Sequence, residues 1–206
     1  MGVIEEVEKD IHIPELPLKY GTAGFRGKAD TLERAAFRVG LFVAIRAKIK
    51  GVCGVMITAS HNGPEDNGVK IVEKDGSMLD PEWEEWAEFI VNSEDVKTTL
   101  LNLNELFIKG LPLGFDAFEL LPLPKKEVGA ETLEEIKERE AGKVVAQPDV
   151  WPKVYIGWDT RESSPKLLEL LLRGIDAVKC PYIKQGLVTT PQLHYVTMNH
   201  AFSASV

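Results

Sequence analysis

Ser60, His61 and Lys70 are the residues whose types and spacing point most directly to chemistry. They lie in Met56-Ile57-Thr58-Ala59-Ser60-His61-Asn62 and in the Gly63-Pro64-Glu65-Asp66-Asn67-Gly68-Val69-Lys70 that follows. The apolar stretch from Gly54 to Ile57 reads as a buried strand. The segment thus puts a hydroxyl, an imidazole able to move a proton and a cation at the mouth of a sheet. A serine so placed can carry a phosphoryl group, a transfer that asks little of a protein beyond positioning and charge compensation. An acyl-transfer pair of Ser60 and His61 is disfavoured. Adjacent residues rarely present side chains to one another, and no G-x-S-x-G elbow is present.

Two further polar segments could join this site. Gly21-Thr22-Ala23-Gly24-Phe25-Arg26-Gly27 combines three glycines with an arginine. Glycines let a backbone approach a phosphate, and arginine pairs with its oxygens bidentately. Trp158-Asp159-Thr160-Arg161 follows an apolar run, as the Ser60 segment does, and α/β folds put their sites at such strand ends. The residues alone also leave plainer readings open. The glycines could only shape a turn, Arg26 could only pair with one of the 32 acids, and Ser60 and His61 could be ordinary polar loop residues.

The elements that must position these residues follow from periodicity. Residues 1–19 are acidic and then broken by Pro14 and Pro17, which predicts a loose lead-in. Asp30 can cap a helix over 31–49, with Glu33 completing a capping-box-like pattern. Leu32, Ala35, Ala36, Val39, Phe42 and Val43 give that helix one buried face. Val52 to Ile57 suits a fully buried, parallel strand. Val69 to Val72 is a second strand, and Asp75-Gly76 turns a hairpin back through Leu79. Asp80-Pro81 supplies a cap and a first helical position. Trp83, Trp86, Ala87, Ile90 and Val91 then mark an apolar helical stripe, in which the tryptophans read as core. A further helix is expected over 94–107.

Residues 110–152 differ in character. Their prolines exclude helix interiors, and Glu131 to Arg139 lacks an apolar face, so a surface insertion is expected. Order returns with a strand at Val154-Tyr155-Ile156. Ser163 or Ser164 then caps a helix containing Pro165, Leu167, Leu168, Leu171, Leu172, Ile175 and Val178. A short strand at Tyr182-Ile183 and a last helix through Met198 complete the pattern. Strands alternating with helices imply an α/β layer fold.

The totals set bounds. The chain has 206 residues and a formal charge of 24 minus 32, or −8, which disfavours nucleic acid as a partner. No apolar run is long enough to span a bilayer, and the N-terminus has no apolar signal region. Cys53 and Cys180 form no C-x-x-C motif and fit a reducing compartment. A soluble cytoplasmic protein without nucleic-acid or membrane partners is expected.

Thr58-Ala59-Ser60-His61-Asn62, with Asn67-Gly68-x-Lys70 after it, resembles the active-site serine loop of the α-D-phosphohexomutases. Tyr20-Gly21-Thr22-Ala23-Gly24-Phe25-Arg26 is similar to the N-terminal loop of that superfamily. Gly186-Leu187-Val188-Thr189-Thr190-Pro191-Gln192-Leu193-His194-Tyr195 resembles its phosphoacetylglucosamine mutase branch. So does the order of parts, with Asp159 and Arg161 after the serine loop. The resemblance covers 20–109 and 153–200. It implies a domain I fold over 20–206, a mixed sheet sandwiched between helices, interrupted by the insertion at about 110–152.

The resemblance also implies a reaction. Ser60 would carry phosphate and donate it to N-acetylglucosamine 6-phosphate, giving a 1,6-bisphosphate and then the 1-phosphate, a step in UDP-N-acetylglucosamine biosynthesis. Lys70 and Arg26 match the cations near the transferring group. His61 would orient the site or move a proton, and Mg²⁺ would bind Ser60 through its phosphate. Arg161 and Asp159 match a segment that shapes the loop. The pattern departs at Gly63, where proline is usual, and at Trp158, where arginine is common. The aspartate-rich metal loop and the sugar-selecting segment of domains II to IV are absent from these 206 residues. By itself the chain is therefore expected to turn over little sugar phosphate. The alternative is a non-catalytic module that binds a partner or a sugar phosphate.

Overall fold

The computed structural model describes residues 13–96 and 152–203, with a few positions between 6 and 11. Its strands are β1 (Tyr20–Gly21), β2 (Gly24–Lys28), β3 (Val52–Ile57), β4 (Asp66–Val72), β5 (Lys153–Trp158) and β6 (Tyr182–Leu187). Its helices are α1 (Glu33–Lys50), α2 (Pro81–Asn92), α3 (Ser164–Ala177) and α4 (Thr190–Ser203), with a 3-10 turn at Asp30–Leu32 before α1. The strands form one sheet in the order β1-β2-β4-β3-β5-β6. The β1, β2, β4 and β3 pairings are antiparallel, and β3-β5 and β5-β6 are parallel. This is the expected mixed sheet.

Alternation along β3 divides the molecule into layers. Cys53, Val55 and Ile57 join the main core with α1, α2 and α3. Val52 and Met56 point the other way and pack with Val72, Tyr155 and Leu193 of α4. Trp83 and Trp86 are buried in the main core, as their helical spacing predicts. Helices α1 and α3 cross at two glycines. A Cβ on Gly40 would lie 2.2 Å from the Leu171 carbonyl oxygen, and one on Gly174 would lie 2.1 Å from that of Phe37. Only residues without a side chain permit so close an approach.

Helix α1 departs from the expected single buried face. It is enclosed on nearly all sides, and Arg38 and Arg46 are fully buried. Each is compensated by distant groups. Arg38 pairs with Glu8 at 2.6 Å and donates to the carbonyls of Ile90, Val91 and Ser93, covering the C-terminal end of α2. Arg46 donates to Glu73 at 2.7 Å and Asp80 at 3.1 Å and lies 4.0 Å over the Trp83 ring. The described part of the lead-in is tied down rather than loose. Leu18 exchanges two hydrogen bonds with the Asn92 side chain, and Glu8 neutralises buried Arg38.

The expected caps give way to tertiary partners. Asp80 accepts from Arg46, Glu33 pairs with Lys166, and Ser163 and Ser164 accept from the Asn67 amide, so none caps a helix with its side chain. Charged or amide donors on other elements outcompete the local N–H groups. Pro81 and Pro165 do occupy first-turn positions. The Gly21–Gly27 segment is an antiparallel hairpin at the sheet edge rather than a loop. The strands at 69–72 and 182–183 start earlier and end later, respectively, than their apolar runs. The turn at Asp75-Gly76 forms, with Val72 bridging Met78. The helix expected over 94–107 lies beyond Val96 outside the described residues, as does the insertion up to residue 151.

Candidate active site

Strands β3 and β5 run parallel side by side, so Thr58 and Asp159 leave the sheet at the same end. Asp159 N–H donates to the Ile57 carbonyl at 3.1 Å, and Thr58 N–H to the Gly68 carbonyl at 3.0 Å. A Cβ on Gly68 would sit 2.6 Å from the Thr58 carbonyl oxygen and 3.0 Å from that of Phe25. The absence of a side chain lets β4 pass between β2 and the start of the Ser60 loop. Ser60 is exposed at the loop tip with φ of +50°, in the left-handed region. That conformation costs a non-glycine residue about 1 kcal/mol and persists only where neighbours impose it.

Arg161 is the main neighbour that imposes it. Its guanidinium donates to four loop carbonyls: Ser60 at 3.2 Å, Asn62 at 3.0 Å, Asp66 at 2.9 Å, and Gly63. Its Nε donates to Asp159 Oδ2 at 3.2 Å. The planar fork of arginine suits such a cluster of acceptors, where lysine presents a point charge. Asp159 collects the other ties. It accepts from the Thr58 hydroxyl at 2.7 Å, the Ser164 hydroxyl at 2.9 Å and the Arg161 amide at 3.1 Å. Partial burial pushes its carboxyl up, but those hydrogen bonds and the Arg161 charge outweigh it and hold the pKa below the usual aspartate value.

The cations stand on the sheet beside the loop. Arg26 of β2 is opposite Gly68 of β4, and Lys70 lies two residues along β4 on the same face. Arg26 Nη1 donates to Asn62 Oδ1 at 3.0 Å, and Asn62 in turn donates to Asp66. Arg26 Nε is shielded from water and has no acceptor among the described residues. Burial, and then the nearby Arg26 charge, lower the pKa of Lys70. Two cations crowd here, and among the described residues neither pairs with a carboxylate, an arrangement that favours an incoming anion. The loop's own carboxylates are engaged elsewhere, Glu65 and Asp66 both pairing with Lys28. His61 is exposed next to Ser60.

The fold therefore gathers Ser60, His61, Arg26 and Lys70 around one end of the sheet. Arg161 and Asp159, expected to shape the loop, contact it directly. Sequence reasoning assigned no role to Thr58, Asn62 or Asn67. Thr58 reaches Asp159 across 101 positions, and Asn67 reaches Ser163 across 96. For Thr58, a polar residue directly after an apolar strand was the available signal.

Known proteins share this fold. Residues 40–98 and 124–206 match the phosphoglucomutase/phosphomannomutase α/β/α domain I. The chain is 40% identical to human phosphoacetylglucosamine mutase over 184 residues, 88% of this chain and 27% of that protein. It is also 40% identical to phosphoacetylglucosamine mutase 1 of Schizosaccharomyces pombe, over 90% of this chain and 29% of that one. A solved Aspergillus fumigatus N-acetylphosphoglucosamine mutase superposes with a TM-score of 0.71 at 30% identity, covering 95% of this chain and 30% of that one. Another structure of the Aspergillus enzyme, in complex with GlcNAc-6P and magnesium, superposes with a TM-score of 0.64 at 30% identity, over 96% of this chain and 30% of that one. The chain thus spans under a third of the length of these relatives. By its matched residues and its fold, it belongs to the phosphoglucomutase/phosphomannomutase family, through the α/β/α domain I of that family.

Proposed function

We propose that this chain is the serine-bearing domain of a phosphoacetylglucosamine mutase. In this reading it serves the interconversion of N-acetylglucosamine 6-phosphate and 1-phosphate through a phosphoserine and a 1,6-bisphosphate, on the way to UDP-N-acetylglucosamine. The observation that carries it is Ser60, exposed and held in a left-handed conformation, beside Arg26 and Lys70, two cations that pair with no carboxylate among the described residues. An isolated guanidinium N–H costs about 1–3 kcal/mol to leave unmet, and a phosphate oxygen would meet it.

Each residue has a role in this reading. The Ser60 hydroxyl takes the phosphoryl group. Its proton passes to the sugar oxygen released from that group, and His61 orients the site or moves the proton. Arg26 and Lys70 offset a charge of roughly −1.5 to −2 on the phosphoserine. Arg161 and Asp159 fix the loop, so that little reorganisation accompanies transfer. Magnesium fits one position here. With Glu65 and Asp66 tied to Lys28, the Ser60 phosphate is the oxygen this loop offers, and Mg²⁺ accepts such a ligand while keeping several waters. When bound, it would neutralise phosphate charge. Two buried free thiols support a reducing, cytoplasmic setting, and among the described residues no helix is long and apolar enough to cross a membrane.

The test is mass spectrometry of the purified chain after incubation with N-acetylglucosamine 1,6-bisphosphate and Mg²⁺. One phosphoryl group on Ser60, lost in Ser60→Ala, is expected. Phosphate at another residue, or none at Ser60, would overturn the assignment.

A further inference from the structure

We propose that Thr58 is a positioning residue for the nucleophile, relaying the Asp159 carboxylate to the Ser60 backbone. The inference rests on the reading of Ser60 as the phosphoryl acceptor. Thr58 is buried one residue past the end of β3, and its hydroxyl has one proton to give. That proton goes to Asp159 Oδ2 at 2.7 Å. An ionised carboxylate can only accept, so the direction of the hydroxyl is imposed. A lone pair is thereby left for the Ser60 N–H, which donates to Thr58 Oγ1 at 3.1 Å.

The other side of Ser60 is held from the same source. Its carbonyl accepts from Arg161, and the Arg161 Nε donates to Asp159. Both polar groups of the Ser60 backbone are therefore gripped by partners that converge on one carboxylate. Ser164 completes the acceptor shell of Asp159 and anchors it to the start of α3. A left-handed serine has nowhere to relax while both ends are held, so the Cα–Cβ bond that carries its hydroxyl points in one direction. The methyl group of Thr58 only fills space. The hydroxyl is the part that positions, and valine and serine substitutions separate the two.

The test compares Thr58→Val, Thr58→Ser and Asp159→Asn with the parent chain by amide hydrogen exchange and by the Ser60 ¹³Cα and ¹³Cβ shifts. Thr58→Val keeps the volume and removes the hydroxyl. The Ser60 amide should then exchange about five- to ten-fold faster, with shifted carbon resonances, while Val55 in β3 exchanges as before. Thr58→Ser should restore exchange to within about two-fold of the parent. Parent-like exchange in Thr58→Val, or equal acceleration in Thr58→Ser, would overturn the proposal. If Thr58→Val does not fold, Asp159→Asn decides. The single amide oxygen left cannot meet all the donors from Thr58, Ser164 and Arg161 that the two carboxylate oxygens accept from, so the Ser60 amide should exchange faster, and parent-like exchange there refutes the relay. No sugar phosphate enters these measurements. A Ser60 that takes no phosphate would refute the acceptor role and leave the exchange result standing.

Discussion

Replacing Arg161 by lysine isolates the geometry of the guanidinium from its charge. The arginine makes five side-chain hydrogen bonds, four to carbonyls of residues 60–66 and one to Asp159. A lysine ammonium has three donors on a single point, and the acceptors are spread around the loop, so about three bonds are lost. Most of the released carbonyls are on exposed residues and can rehydrate, which puts each loss near the lower end, about 0.5–1 kcal/mol. The loop then opens more easily by about 2 kcal/mol, or roughly 30-fold in population. Amide exchange reads this directly. Asn62 and Asp66 N–H groups, bonded to the Ala59 and Gly63 carbonyls, should lose protection by about that factor. Val55 and Ile156 in the sheet should not change. Unchanged protection at Asn62 and Asp66 would show that the loop holds itself and that Arg161 merely lies against it.

Three further outcomes are expected. Gly174→Ala drives a methyl group into the Phe37 carbonyl of α1, so the helices must separate. A loss of about 3 kcal/mol, and a fall in Tm of roughly 6–12 °C for a domain of this size, should appear by calorimetry, and a Tm within a degree of the parent would contradict the close crossing. Asp159 has a folded pKa below its unfolded value, so the stability it adds is fully present above the unfolded pKa and is lost as pH falls through the lower folded one. Asp159→Asn should therefore flatten the acid arm of a stability-against-pH curve, and an identical acid slope in the variant would count against it. Burial raises the Cys180 thiol to about 11 and pushes Cys53 well above its usual value. Neither should react with a thiol reagent at pH 8 until the chain is unfolded, and rapid labelling of the folded chain would contradict that burial.

How far the fold could be read depended on where each residue's partners lie. The Trp83, Trp86, Ile90 stripe was legible because helical periodicity is local and one face of α2 meets the core. Pro81 and Pro165 were legible for the same reason. Helix α1 was misread as half-exposed because Arg38 and Arg46 look like surface residues in sequence. Their compensation comes from Glu8, Glu73, Asp80 and the end of α2, which local spacing does not reveal. The helix caps failed likewise. Asp80, Ser163 and Ser164 are good cap residues, but Arg46 and Asn67 arrive from other elements and claim them. Strand β4 begins at polar Asp66 and Asn67, where pairing with Lys28 and Gly27 rather than apolar character makes the strand.

The amino-acid sequence by itself determined the chemical inventory: a serine, a histidine and a lysine after a buried apolar run, with an arginine beside glycines elsewhere. It also determined the α/β alternation, since hydrophobic period and turn residues act over a few positions. Tertiary structure decided which of these groups meet. Parallel pairing of β3 with β5 put Asp159 next to Thr58, and antiparallel pairing of β2 with β4 put Arg26 beside Lys70. The left-handed Ser60 is a tertiary decision too. No local preference favours it in serine, and it stands because Arg161 and Thr58, both tied to Asp159, hold the two ends of its backbone.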